Sequence, residues 1–477
     1  MTTAITSAQM TSVRRERAGV LWPHVLCGAF VILWLDVGVA ADTMARIPGI
    51  AKVGILGCWL ALAAVRSPVF FGDLVLTGWP LATMMLIVLM YSAEIAESDQ
   101  YLQGLGYLLI AFALFCFYSS ERFRRERTVL LFVMLADLAV TGMRTLVTLQ
   151  TEPLLSRYLA TTEEIRTTVY GSLSFSGLGG YGYAYSLAAT LVLLSYFLVR
   201  STRKFTILVV MIVGAVVLIE MAFATSILLA VVVGGGFLVQ DLIHKSGLRI
   251  ILVGVALIGW ASGFYSAVLR TVGAVGSLTP DVQVRLIDLA RFLNGESSAG
   301  SDLGSRLDLW TRSVVLFLSN GPFGLAGSGR TNQATGGHSQ WLDFLASYGI
   351  LTALLVLFFA LSWLLLRRRL PTEAAASVGR GWLFLLVVGL VNTLIFSTIV
   401  LTWMFLLPAL AMWFGSAEPP RASSSHEGSL GRQRAHPAGS RGARGPSRGL
   451  PDVGGGRPQR RRHARRRRGE HRLSPGG

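Results

Sequence analysis

Charge is what this sequence has least of. Only 14% of its 477 residues are Asp, Glu, Lys or Arg, against about 25% in an ordinary soluble domain. That shortfall excludes a water-facing surface for most of the chain. Cysteine is scarce as well: Cys27, Cys58 and Cys116 each lie inside an apolar run. They read as small buried hydrophobes, not a disulfide framework. No Cys/His group has zinc spacing, and no Asp/Glu pair stands out as a metal cage, so no metal and no other cofactor is expected. Acidic residues are the rarer sign, 26 against 43 Lys and Arg, for a net charge of +17. About two thirds of that excess falls after Trp413 and the rest in short loops between apolar runs. Such a distribution points away from nucleic acid as a partner.

What the chain has in abundance is hydrocarbon. Hydrophobic residues make up 52%, with a mean hydropathy of +0.57. Apolar runs of about 18 or more residues predict transmembrane helices. They fall at 20–40, 48–65, 72–93, 101–118, 128–148, 183–199, 205–219, 222–240, 249–268, 346–366, 382–398 and 400–415. The stretches 205–240 and 382–415 read either as two spans each or as one kinked element. The expected fold is all-α, a polytopic membrane helical bundle of about 12 transmembrane helices, with a large extracytoplasmic loop before the last three. Residues 1–19 are polar and carry Arg14, Arg15 and Arg17. The run that follows is long enough to span, so it reads as a retained first helix and not a cleaved signal.

Loop charges set the expected orientation. Placing the N-terminus in the cytoplasm gives inside loops at Arg66, at Arg122 to Arg127, at Arg200 to Lys204, at Lys245 and Arg249, and at Arg367 to Arg369. The short outside loops hold Glu94, Glu97 and Asp99, then Glu152, Glu163 and Glu164. This is the positive-inside asymmetry, with both termini cytoplasmic. Two outside segments, about 151–182 and 270–347, exceed what joining helices requires. The tail 416–477 is rich in Arg, Gly, Ser and Pro and cannot bury a core, so it is expected to be disordered. It reads as a strand of cations for anionic headgroups or as an extension without function.

Gly177-Leu-Gly-Gly-Tyr-Gly182 matches G-x-G-x-x-G in form, but no strand precedes it, so a dinucleotide site is rejected. The glycines are expected to turn the backbone at the bilayer surface, with Tyr181, Tyr183 and Tyr185 at headgroup level. Among charges inside the runs, Asp137 and Arg144 share a helical face and either pair or leave Arg144 to reach the outer interface. Asp36 and Glu220 sit near the outer ends of theirs.

The second outside loop carries most of the chemistry. It holds Arg285, Arg291, Arg306, Arg312 and Arg330 with one histidine, His338. Leu307, Trp310, Val314 and Leu318 recur at helical spacing, which predicts an amphipathic helix on the membrane surface. A Pro/Gly turn follows, then a second amphipathic helix with Trp341, Leu342, Leu345 and Tyr348 leads into the next span. Arginine forks match phosphate oxygens and stay charged. A histidine of ordinary pKa takes a proton from a hydroxyl. Together they suit transfer from a lipid pyrophosphate to a hydroxyl acceptor without a metal.

The ordered set Ser305-Arg306-x-x-x-Trp310, Gly321-Pro-x-x-Gly324, Gly327-x-Gly329 and His338-Ser-x-Trp-Leu-x-x-Leu-x-x-Tyr-Gly349 resembles the O-antigen polymerase and O-antigen ligase family. Gly179-Gly-Tyr-x-x-Ala-Tyr-Ser-Leu187 is similar to polymerase relatives. The resemblance implies a bacterial inner-membrane enzyme of surface polysaccharide assembly. It would act on undecaprenyl-diphosphate-linked oligosaccharides at the extracytoplasmic face, among membrane lipids, with chain-length regulator and flippase proteins as possible partners. It gives His338 the role of base and Arg306 that of donor-diphosphate ligand. Arg285 and Arg291 are candidates for a second family arginine, and Arg312, Arg330 and Tyr181 are expected as further substrate-binding residues on their own chemistry. His-Ser at 338–339, where ligases more often have His-Asn, favours a polymerase. A ligase, a flippase of lipid-linked glycan and a non-enzymatic sensor or scaffold are the competing readings.

Overall fold

The computed structural model describes residues 22–35, 39–93, 95, 98–151, 178–221, 224–243, 262–263, 266–267, 270–271, 274, 280–294, 302–328, 335–337, 339–392 and 397–415. The expected span 249–268 lies mostly outside these residues, as do 1–19, most of the first outside loop and the basic tail. Among the described residues every regular element is helical. Six helices among these residues are long and apolar enough to cross a membrane, and four more apolar helices there are shorter.

The first run forms α1 (Trp22–Leu35) and a short α2 (Val39–Ala45). The next helices are α3 (Gly49–Arg66), α4 (Phe70–Met90), α5 (Ser98–Tyr118) and α6 (Arg124–Thr151). The start of α2 is tied to α6: Val39 N–H donates to Thr141 Oγ1 at 2.9 Å and Ala40 N–H to Asp137 Oδ1 at 3.1 Å. A helix start has unpaired N–H groups, and here a neighbouring helix supplies acceptors. Asp137 therefore does not pair with Arg144, which is exposed.

Helix α7 (Tyr181–Arg200) is apolar on all sides and buried almost throughout Tyr183–Phe197, the pattern of a central helix. Around it pack α8 (Lys204–Glu220), α9 (Ala224–Leu229) and α10 (Gly235–Leu242), the last two joined by a π turn at Ala230–Gly234. After α11 (Pro280–Leu293) and α12 (Asp302–Asn320) come α13 (Gln340–Tyr348) and α14 (Leu351–Arg367). The chain then forms α15 (Thr372–Val391) and α16 (Ser397–Leu401), and a π turn at Thr402–Leu406 leads into α17 (Leu407–Gly415). Pro408 brings no N–H for the carbonyl one turn earlier, which accounts for the wide turn before it.

Helix ends that the charge pattern places on one side meet each other. Arg66 bonds Glu126 at 3.0 Å and Arg369 lies 3.6 Å from Asp73. Arg200 and Arg380 both grip Asp241, and their guanidinium carbons lie 4.1 and 4.8 Å from the ring centre of Tyr196. This is the arginine-rich end. Large apolar side chains such as Val53, Val65, Leu76, Val213 and Leu357 are exposed outside the bundle. In water such a belt would be a liability, whereas in hydrocarbon it is the solvent-facing surface.

Candidate functional site

The motif pieces of the second outside loop are packed against one another. Gly324 (φ +60°) and Gly349 (φ +55°) approach backbone to backbone. A Cβ on Gly349 would collide with the carbonyl of Pro322, and Ile350 N–H donates to that same carbonyl at 2.7 Å. The Gly-Pro-x-x-Gly turn and the Tyr-Gly pair are thus two halves of one contact that side chains would block.

Helix α12 buries polar side chains. Arg306 and Ser313, seven residues apart on one face, are buried at 6% and 1% exposure. Leu307, Val314 and Leu318, from the apolar stripe, are exposed, Leu318 at 72%. Asp308, Thr311 and Arg312 are exposed beside them, so the outward surface is mixed, while the described side chains that the helix buries, Arg306 and Ser313, are polar.

Arg306 Nη1 donates to the carbonyl of Val391, the last residue of α15, at 3.1 Å. Its Nη2 lies 3.5 Å from the Tyr181 hydroxyl. A cation at a helix C-terminus is favoured by the exposed carbonyls there. Tyr181 stacks on Tyr185 with ring centres 6.4 Å apart, and Tyr185 Oη receives a hydrogen bond from Asn392 Nδ2 at 3.3 Å. Asn392 in turn accepts from the backbone N–H of Gln340 at 3.2 Å. The first turn of α7, the end of α15, α12 and α13 therefore converge at the end opposite the arginine-rich one.

Two of the three tyrosines expected at headgroup level do not face outward. Tyr183 and Tyr185 are buried at 3% and 1%. Residues 181 and 185 share a helical face while 183 turns away. Tyr183 Oη donates to Leu138 O at 3.0 Å on α6, passing over Gly142, where a Cβ would stand 2.5 Å from that oxygen. Gly179 N–H donates to Thr145 Oγ1 at 2.8 Å. The glycine-tyrosine stretch is a helix-packing device.

Asp343 organises the approach to α13. Its Oδ1 accepts from Ser313 Oγ at 2.7 Å and from Gly337 N–H at 3.3 Å, and its Oδ2 accepts from Ser339 N–H at 3.2 Å. Ser313 Oγ accepts from Gly336 N–H at 3.0 Å. Ser339 caps α13 by accepting from Leu342 N–H, and its hydroxyl reaches Gly389 O at 3.3 Å. Trp341 Nε1 donates to Leu386 O at 3.0 Å. Helix α13 is wedged into the bundle, with Gln340, Asp343, Phe344 and Tyr348 all buried.

Of the residues expected at the site, Arg306 and Tyr181 are brought together. His338 and Arg330 lie outside the described residues, although Gly337 and Ser339 are held as stated. Arg285 is on α11, with its side chain outside the described set. Arg291 is exposed and lies 3.9 Å from Asp288 on its own helix. Arg312 is exposed, about 120° around α12 from Arg306 at 3.6 residues per turn. Sequence reasoning missed Asn392, Asp343 and Ser313. The one available signal was a lone Asn or Asp inside an apolar run. Among the described residues no His/Cys/Asp/Glu group could hold a metal ion. No protein-family model matches the chain, and no curated protein matches it either.

Proposed function

We propose that this chain is a multi-span bacterial inner-membrane glycosyltransferase of the O-antigen polymerase and ligase type, with about 12 spans and both termini in the cytoplasm. It joins oligosaccharide repeat units carried on a polyprenyl diphosphate at the extracytoplasmic face. The observation that supports this reading is buried Arg306 on α12, held between Tyr181 and the end of α15. A membrane protein turns a guanidinium inward where it has polar work to do.

In this mechanism His338 removes the proton from an acceptor sugar hydroxyl. The freed oxygen attacks the anomeric carbon of the donor, forming the new glycosidic bond. The bond from that carbon to the diphosphate oxygen breaks, and the polyprenyl diphosphate leaves with the electron pair. Arg306 stabilises the charge growing on it, and one displacement inverts the anomeric centre. Tyr181 and Tyr185 offer a stacked aromatic wall beside the arginine.

The test is a reconstituted reaction with purified protein in liposomes and a lipid-diphosphate repeat unit, scored for product length. The wild type lengthens the glycan, and His338→Ala inserts normally but does not. Undiminished lengthening in His338→Ala rejects the base. Transfer to a non-repeat lipid acceptor without lengthening identifies a ligase.

A further inference from the structure

An apolar recess lies away from this site. Helices α7 and α8 and the α9–α10 pair enclose a half-open groove of about 240 Å³ lined by Leu191, Val192, Met211, Ala215, Val231 and Gly235. The π turn between α9 and α10 widens the backbone there, and Gly235 leaves the space open: a Cβ at that position would meet nothing within 4 Å. Val231 is 65% exposed, so the groove opens on the apolar outside of the bundle. The hydroxyl of Ser195, on its wall, is spent on the Val192 carbonyl at 2.7 Å. The groove is therefore fitted to hydrocarbon.

Its arginine-rich end is fitted to an anion. Arg200 ends α7 and lies over the Tyr196 ring, and Arg203 lies over Trp413 with 5.7 Å to the ring centre. Lys204 opens α8 and is exposed. Asp241 binds both Arg200 and Arg380, and Glu373 sits in the first turn of α15 nearby. Cations still outnumber carboxylates there. Among the described residues neither Arg203 nor Lys204 has an acidic group within 4 Å. Met211 is seven residues beyond Lys204, about 10 Å along the helix axis, which leaves room for a linkage between a charged head and a chain in the groove.

We propose that the groove and its cationic rim form a binding site for one anionic phospholipid, with an acyl chain against α8 and α10 and the phosphate at Arg200, Arg203 and Lys204. Two independent features point to one molecule, since a lipid alone joins a hydrocarbon chain to an anion across that distance. Basic residues at the membrane surface select anionic headgroups in this way. The inference needs only that the chain is a membrane protein, and it is independent of the glycosyl-transfer reading.

The experiment uses the full chain purified in detergent, delipidated, and offered equimolar phosphatidylglycerol and phosphatidylcholine with matched chains. Retained lipid is counted by native mass spectrometry. The wild type should retain one phosphatidylglycerol with about tenfold preference. The double change Arg203→Gln and Lys204→Gln should abolish the preference while lipid is still retained. Gly235→Leu should fill the groove and remove the tightly retained molecule, and Ala215→Phe should do the same from the opposite wall if the first variant folds poorly. Glycerol phosphate should not displace the lipid. Equal retention of the two lipids by the wild type, retention unchanged in both groove-filling variants, or displacement by glycerol phosphate overturns the proposal.

Discussion

Replacing Asp343 by Asn changes one atom and tests how the chain on either side of position 338 is held. Among the described residues, Asp343 accepts from Ser313 Oγ and Gly337 N–H at Oδ1 and from Ser339 N–H at Oδ2. Asparagine keeps one carbonyl oxygen and turns the other into an NH2 donor. In either orientation that NH2 faces a backbone N–H, which has no second choice of partner. If it faces Oδ2's place, Ser339 N–H is orphaned; flipped, Gly337 N–H is. An orphaned buried donor costs about 1–3 kcal/mol, which is about 5- to 150-fold in a local opening equilibrium. Amide hydrogen exchange reads that equilibrium segment by segment. Exchange over residues 336–342 should rise by a factor in this range, while α3 to α5 stay as slow as in the wild type. Ser313→Ala should accelerate the same segment through Gly336 N–H. Unchanged exchange in Asp343→Asn refutes the reasoning, because a carboxylate that mattered there cannot be exchanged for an amide without loss.

Other substitutions test other contacts. Gly349→Ala forces a side chain into a left-handed backbone and against Pro322; strain of this kind costs about 1–3 kcal/mol before the clash is counted. Size-exclusion chromatography of the detergent extract should show most of it aggregated. Asp241→Ala leaves Arg380, only 12% exposed at its side chain, without its carboxylate. Breaking a buried pair costs about 3–5 kcal/mol, so the thermal midpoint should fall, and changing Arg380 to Met in the same chain should restore part of it. Arg306→Lys keeps the charge, but an ammonium cannot span both Val391 O and Tyr181 Oη. Product lengthening should drop more than tenfold with the thermal midpoint little changed.

The long helices were legible because hydrocarbon runs with charged flanks admit one reading. The expected 48–65, 101–118 and 183–199 became Gly49–Arg66, Ser98–Tyr118 and Tyr181–Arg200. The expected 382–398 failed instructively. The helix begins at Thr372, because Ala374, Ser377 and Gly381 are too small or polar to register as a span yet pack tightly inside. The charge of Arg380 is answered by Asp241, 139 residues away, a partner no local window reveals. Its end at Val391 frees Asn392 and a carbonyl for the site, where the sequence offered only continued hydrocarbon. The span 346–366 is likewise divided at Gly349, whose positive φ stops α13 before α14 begins.

At the site, the residue pattern pointed to Arg306 and Tyr181 but not to their encounter, which depends on a tertiary approach across 125 positions. The stripe of Leu307, Val314 and Leu318 was visible, and its direction was not: periodicity fixes a face, while the surrounding medium decides whether that face points in or out. Asp343 stood inside an apolar pattern and was passed over, although its two oxygens hold three elements together.

The central claim is that the polar face of α12 and the start of α13 line the place where a lipid diphosphate binds. A photoreactive polyprenyl diphosphate, with its reactive group next to the phosphates, tests it on the protein in liposomes. Labelled peptides should come from 302–320 and 335–348 and disappear when unmodified donor competes. Labelling confined to other segments, or undiminished by donor, contradicts the account.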